Sequence, residues 1–388
     1  MIRRELPPRA DWQARVERAG LAYHSGGEPP AEGGGLYWHE GACWELTSAE
    51  VDVLDDATAE IHARCLDAVD HIVNRDPGLL REAFSLPDWF AEAVSASWRR
   101  GDPALMGRMD LAFDDVAGRV SLLEYNADTP TLAIETAVAQ WFWLQDVAPE
   151  ADQFNSLHEK LLARFGWLKG FMDGRGMHFA AYAEAPEEWL HATYFRDLAE
   201  QAGIATRQLD LARIGWDGAV FRDEEGGEIR FLHKLYPWEW AREDAFGRAL
   251  AGDAAGVLEP AWKALLSDKA ILAVLARLFP GHAHILPARL GRHGGDAGEW
   301  VEKPCLGREG ANVAMHRDGA VLAASDGAYG GTAARWVTQA TARLPVRDGW
   351  NAVIGSWVVG EETAGVVFRE GRELIMRDGS RVVPHLFR

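Results

Sequence analysis

The sequence predicts a mixed α/β and α+β fold, and three patterns predict it. A strand–turn–strand pattern runs from Gly107 to Asn126. A strand–helix–strand order runs from Met177 to Leu209. From residue 284 onward, short apolar runs alternate with glycine-rich turns. Apolar periods of two and 3.6 separate strands from helices, and strands alternating with helices build α/β layers. With 388 residues, 48% hydrophobic and 26% charged, the chain can bury two or three packed domains, and global disorder is excluded.

The elements follow in chain order. The first 35 residues, rich in Pro and Gly and ending in Gly33-Gly34-Gly35, predict an extended arm or loop. Thr47-Ser48-Ala49-Glu50 is a capping box, opening a helix whose apolar positions (Val51, Leu54, Ile61, Cys65, Ala68, Ile72) recur to about Asn74. Pro77-Gly78 breaks the chain, and a second helix covers about 87–99. Arg108 to Phe113 and Val120 to Asn126 form a hairpin across Asp114–Gly118. Helices are expected over Thr131–Val147 and Asp152–Met172. Met177–Ala183 is a strand, Pro186 starts a helix that Gly203 stops, and Ile204–Leu209 is the next strand. A second hairpin is expected between 220–222 and 229–235, then a helix over about 268–279 that Pro280-Gly281 stops.

Charge and cysteines narrow the function. Forty Lys+Arg against 59 Asp+Glu leave a net charge of −19. That argues against a nucleic-acid partner, which needs a dense cationic field. A nucleotide needs only a few local cations. Cys43, Cys65 and Cys305 form no disulfide framework, and the start Met-Ile-Arg-Arg has no leader-like apolar stretch. The longest apolar run, Ala270–Phe279, is too short to span a bilayer. The expected setting is the cytoplasm, without membrane or nucleic-acid partners.

The hairpin carries the most chemistry. Residues i and i+2 of a strand share a face, so Arg108 joins Asp110 and Glu124 joins Asn126, with Arg108 roughly opposite Glu124. One cation, two carboxylates and an amide oxygen suit Mg²⁺ beside a phosphoryl group; a solvated ion pair is the plainer reading. Val301 to Asn312 reads as a strand end with Lys303 and a loop with Gly307 and Gly310, able to approach phosphates or to serve as a surface turn. Lys269 falls in the first turn of its helix, against the dipole, so an anionic ligand would explain it; an exposed lysine is the alternative. Arg369 lies on a strand that would set it at a sheet edge. No HExxH, GxSxG or P-loop occurs; His282 and His284 read as surface or core residues, Cys43 as buried and structural, and most of Trp141, Trp143, Trp238 and Trp240 as core.

Taken together, these stretches resemble the glutathionylspermidine synthase family. They are Arg108-Met109-Asp110, Glu124-Tyr125-Asn126-Ala127-Asp128-Thr129-Pro130-Thr131, Asp268-Lys269-Ala270, Lys303-Pro304 with Gly307-Arg308, Gly310 and Asn312, then Gly355-Ser356-Trp357, Ala364-Gly365 and Arg369. The resemblance runs from about Tyr37 to His385 and implies an ATP-grasp fold with a preceding small α/β (pre-ATP-grasp) domain. It implies a helical region over 1–106, the metal-binding hairpin and substrate domain over 107–255, and the nucleotide-binding region over 256–388. The implied reaction joins a carboxylate, glutathione or a related small peptide, to an amine, a polyamine, through an acyl phosphate made from ATP.

Carried over by motif, Asp110, Glu124 and Asn126 would ligate Mg²⁺, Lys269 and Lys303 would contact the ATP phosphates and the adenine side, and Gly307 and Gly310 would also bind the nucleotide. Gln339 would open the adenine hinge, with Leu374, Ile375 and Met376 packed near the nucleotide. Arg108, Arg369 and Arg308 would be catalytic. Thr129 and Thr131 match substrate-contacting hydroxyls, and Glu187 and Glu188 match acidic positions near the substrates. The 107 residues before Arg108 are too few for the amidase domain of bifunctional members. Leu235 stands where those enzymes carry a hydroxyl, and Tyr236-Pro237-Trp238-Glu239-Trp240 looks like a stand-alone branch. The expected partners are small molecules, with the chain a monomer or homodimer. The competing readings are a phosphotransferase and a non-catalytic ATP-binding regulatory protein of the same fold.

Overall fold

The computed structural model describes residues 1–25, 37–332, 334–377 and 380–388. At its centre is an antiparallel sheet in the order Arg381–Val383, Glu362–Gly371, Trp350–Val359, Met106–Asp114, Arg119–Asn126, with Val346–Arg347 paired to Trp350–Val359. The hairpin thus joins strands more than 200 positions away in sequence. Met109, Leu111 and Phe113 share one hydrophobic core with Leu54, Ile61 and Cys65 of the helix Ser48–Asp70. That helix starts at the expected capping box, where Thr47 accepts from the Glu50 amide and the Glu50 carboxylate answers the Thr47 amide. A π-turn over His71–Arg75 ends it.

The expected strand–helix–strand unit is present: Met177–Ala181 and Thr206–Asp210 pair in parallel across the helix Pro186–Gln201. Phe231–Lys234 and Gly256–Leu258 extend it to four parallel strands. The expected 220–235 hairpin is therefore shorter. Phe221–Arg222 pairs with Glu228–Ile229, and the chain then leaves to lie beside Met177–Ala181, where Leu232 is buried. A five-stranded antiparallel sheet holds Ala288–Leu290, Trp336–Ala340, Glu299–Pro304, Ala314–Arg317 and Ala320–Ala324.

The N-terminal arm needs correction. Ile2–Glu5 is a strand paired with Ala42–Leu46, and Trp12–Arg18 is a helix; Gly33-Gly34-Gly35 lies outside the described residues. His385–Phe387 pairs on the other side of Ala42–Leu46, so the two chain ends meet in one small sheet. Arg369 is likewise not at an edge, because Arg381–Val383 covers its strand. The helices expected from Thr131 and Asp152 start later, near Ala133 and at Leu157. Cys43, Cys65 and Cys305 are free and buried, and burial pushes the Cys43 thiol up to about 12. Among the described residues no helix is long and apolar enough to cross a membrane.

The join between the ends is ionic. Fully buried Glu370 accepts from Arg3 Nε at 2.9 Å, Arg381 Nε at 2.8 Å and Trp44 Nε1 at 3.0 Å. Removing one partner of a buried ion pair costs about 3–5 kcal/mol, because the other charge is stranded. Glu370→Gln should lower unfolding free energy by about that amount in urea titrations. A loss below about 1 kcal/mol would show that the cluster contributes no more than a surface pair.

Candidate active site

The hairpin register places two carboxylates side by side. Asp110 is directly opposite Glu124, and Arg108 is opposite Asn126. The expected Arg108–Glu124 pairing is thus off by two residues; the ladder shifts at a bulge between Asp110 and Leu111, which counting from the turn does not reveal. All four side chains still share a face. Arg108 Nε donates to Asp110 Oδ1 at 3.2 Å, and its Nη1 donates to the Thr131 carbonyl. Arg369, from the sheet strand two places away, is ion-paired with the other Asp110 oxygen. Gly355, opposite Asp110, makes room: a Cβ there would lie 3.0 Å from Arg108 Cδ and 2.9 Å from Val367.

Lys269 Nζ sits 3.0 Å from Glu124 Oε2 and donates to the Gly307 carbonyl at 2.7 Å. Lys269 occupies the position before the helix Ala270–Leu278 rather than its first turn, and Asp268 caps the Ala270 amide at 2.9 Å. Glu124 therefore supplies the anion that the lysine's position calls for. Burial would raise the Glu124 carboxyl, but Lys269, Lys303 and Arg369 bring it down to about 2. Burial lowers the Lys303 ammonium to about 8, with Glu124 opposing the drop. Lys303 Nζ donates to the Leu123 carbonyl at 2.8 Å, and Gln339 Nε2 to that of Leu122 at 2.9 Å. These two bonds tie the five-stranded sheet to the hairpin.

Between the sheets is a cleft of ≈ 150 Å³. Asp110, Glu124, Lys303 and Arg369 line its polar side, with Gln339 at the strand and Leu374, Ile375 and Met376 on the apolar side. Gly307, Gly310 and Arg308 border an adjoining hollow with Lys269. Gly310 has φ +66°, and a Cβ there would meet the Met376 carbonyl at 2.1 Å. Gly310→Ala should therefore push the loop off the 374–376 wall, and if ATP occupies this cleft as the sequence resemblance implies, weaken its binding by about tenfold or more, an effect of about 1.4 kcal/mol or more. Calorimetric titration with ATP reads this directly, and unchanged affinity would remove the loop from the binding surface.

Other site candidates lie on the far side of Arg108. Thr131 carries the carbonyl that Arg108 holds and a side-chain hydrogen bond to Glu187. Burial raises the Glu187 carboxyl. Thr129 and Glu188 are half-buried, and among the described residues neither bonds Arg108, Arg308 or Arg369. Sequence reasoning did not find the partners of the glycine-rich loop. Arg308 is ion-paired with Glu239 and lies 4.8 Å from the Trp240 ring centroid. Nor did it find the buried Lys234–Asp128 pair at 2.7 Å, with Asp128 also accepting the Trp238 amide. Both sit in stretches noted only as motifs, Tyr236–Trp240 and Asn126–Thr131.

Among the described residues no cluster of three or more His, Cys, Asp or Glu side chains could hold a metal. Mg²⁺ asks for less: one or two carboxylates and substrate phosphates complete its shell. Adjacent Asp110 and Glu124 with the Asn126 amide make such an oxygen set; Asp110 is held by Arg108 and Arg369, and Glu124 by Lys269 and, at 3.5 Å, by the Asn126 Nδ2 donor, with no backbone donor on either carboxylate among the described residues. The residues fit that metal.

A central hairpin sheet, a five-stranded sheet across the cleft and a parallel α/β layer define an ATP-grasp fold with its preceding α/β domain. The chain belongs to the glutathionylspermidine synthase preATP-grasp family, whose model matches residues 3–388. It is 36% identical to a Haemophilus influenzae protein named "Putative acid–amine ligase", over 98% of each chain. It is 27% identical to the trypanothione synthetase of Crithidia fasciculata, over 81% of this chain and 52% of that one. It is 26% identical to the bifunctional glutathionylspermidine synthetase/amidase of Escherichia coli, over 88% and 58% respectively. The chain thus spans little more than half of these two longer relatives. A solved glutathione synthetase-like effector from Globodera pallida shares the fold, with TM-score 0.56 at 10% identity over 99% of this chain and 98% of that one.

Proposed function

We propose that this protein is an ATP-dependent acid–amine ligase that activates a carboxylate as an acyl phosphate and passes the acyl group to an amine. The observation that carries this reading is the Asp110–Glu124 pair facing one cleft with Lys303 and Arg369. A carboxylate does not react with amines in water, so its hydroxide-like leaving group must first be replaced. A carboxylate oxygen attacks the γ-phosphorus, ADP leaves, the amine nitrogen attacks the acyl carbon, and phosphate leaves as the amine gives up a proton. Such transfers need positioning and charge neutralisation rather than a protein nucleophile. That matches a cleft rich in Lys and Arg.

Lys269 and Lys303 bind phosphate oxygens; Lys269 has a third donor beyond those on Glu124 and the Gly307 carbonyl. Asp110, Glu124 and Asn126 would hold Mg²⁺, which supplies charge neutralisation at the phosphates. Arg108 and Arg369 face the developing charge on the transferred group and on the tetrahedral adduct. The strand at Gln339 and the Leu374–Met376 wall receive the nucleobase. Gly307–Gly310 and Arg308 close over the site and exclude water. Thr129 and Thr131 meet the acid, and Glu187 and Glu188 the amine. Glutathione or a related small peptide is the proposed acid and a polyamine the proposed amine, names drawn from the relatives. The compartment proposed is the cytoplasm, and the chain acts as a monomer or homodimer. A purely ATP-binding regulator has no use for two arginines converging on one metal-site carboxylate.

The test is ADP release with Mg-ATP across γ-glutamyl thiols and small peptides, each with diamines, polyamines or amino acids. Release that requires both an acid and an amine, with the adduct seen by mass spectrometry, is expected. ADP release that needs no amine would instead establish a phosphotransferase.

A further inference from the structure

The glycine-rich loop is clasped from across the cleft. Arg308 Nη2 donates to Glu239 Oε1 at 2.5 Å, and its guanidinium stands 4.8 Å from the Trp240 ring centroid. Trp240 is 45% exposed, so its ring adds little to the core and offers a face to the arginine instead. Neither Glu239 nor Trp240 lines the cleft or the adjoining hollow, so their reach into the site is through Arg308. The pairing engages Nη2, which leaves Nε and Nη1 for the cleft.

Both residues lie in the turn that follows the parallel strand Phe231–Lys234, and that turn is anchored from beneath. Buried Asp128 accepts from Lys234 Nζ at 2.7 Å and from the Trp238 amide at 2.6 Å. Lys234 Nζ also lies 4.5 Å from the Trp238 ring centroid. On its own side of the cleft the loop is tied by Lys269 to the Gly307 carbonyl and by Ser325 Oγ to the Gly310 carbonyl. Arg308, between these two points, is where the loop reaches the α/β layer.

We propose that Glu239 and Trp240 are positioning residues: they latch Arg308, and with it the glycine-rich loop, over the cleft, and so keep water from the acyl phosphate until the amine attacks. The consequence for water rests on the ligase reading; the latch itself does not. With the loop lifted, a water oxygen bonds to the acyl carbon, the bond to the phosphate oxygen breaks, phosphate leaves, and the acid returns as the water gives up a proton. ATP is then hydrolysed with no amide formed.

Two measurements on the full chain test this. The first is hydrogen exchange without nucleotide, followed by mass spectrometry. It is read at the Ala311 and Val313 amides, which the folded loop bonds to the Arg308 carbonyl and to Ser325 Oγ. Glu239→Gln should speed their exchange about threefold, the size of effect a half-exposed ion pair gives. Trp240→Leu, which leaves the carboxylate in place, should act the same way. Glu243→Gln, which removes a neighbouring exposed carboxylate paired with Arg242, should change nothing.

The second is the ratio of ADP released to amide formed, with whichever acid and amine support turnover. The wild type should give nearly one ADP per amide, and Glu239→Gln and Trp240→Leu about a threefold larger share of ADP without amide. A merely structural role would lower both products and leave the ratio unchanged. The exchange measurement needs no substrate, so the latch stands or falls apart from the ligase reading. Unchanged exchange in either variant would overturn the latch. Faster exchange at an unchanged ratio would overturn its role in excluding water. Faster amide formation in Glu239→Gln would overturn both, making Glu239 a restraint that holds Arg308 out of the cleft.

Discussion

Glu124→Gln is expected to lower ATP turnover by about 10³-fold while leaving the protein folded. The substitution keeps the shape and an oxygen for Lys269, and removes the charge. In the proposed site that charge is one of two carboxylates available to Mg²⁺. Metal-based charge neutralisation is worth several kcal/mol, and about 4 kcal/mol corresponds to that loss in rate. The fold should tolerate the change because Glu124 is half-buried and Lys269 keeps the Gly307 carbonyl as a second partner. ADP release measured beside a thermal melt separates the two effects. A variant that unfolds would show that the Lys269–Glu124 pair is structural. A variant that turns over normally would remove Glu124 from the chemistry.

Arg369→Ala should affect rate more than affinity. Arg369 reaches Asp110 from one side while Arg108 holds it from the other, so two guanidiniums converge where the phosphoryl group would pass. An arginine that meets charge only in the transition state is worth about 10³-fold or more in kcat. In the proposed site, ground-state ATP binding would rest mainly on the lysines and the cleft walls, so the Kd for ATP should rise less than about tenfold. Asp110 keeps Arg108 as its partner, which limits the loss of stability. Arg369→Lys should recover little of the rate, because an ammonium cannot reproduce the guanidinium fork. An equal loss in kcat and ATP affinity would make Arg369 an ATP-binding residue instead.

Local pattern revealed the hairpin, the capped helix and the parallel strand–helix–strand unit, because each is built from neighbours in sequence. What it could not reveal was pairing at long range. Nothing near Met106–Asp114 announces Trp350–Val359 as its neighbour, and Arg369 looked like an edge residue because its outer partner is only three residues long. The hairpin register failed at a bulge that spacing does not show. Motifs named the residues of the cleft, and the structure places Asp110, Glu124, Lys303, Gln339, Arg369 and Leu374–Met376 around one space. Arg308–Glu239 stayed hidden because its partners are 69 positions apart and neither motif points to the other.

Whether ATP activates a carboxylate is read by isotope transfer, with whichever acid and amine support turnover and with the acid carrying ¹⁸O in its carboxylate. An acyl phosphate route predicts that one labelled oxygen per turnover appears in inorganic phosphate. Label found in AMP, or none leaving the acid as the amide forms, would contradict it.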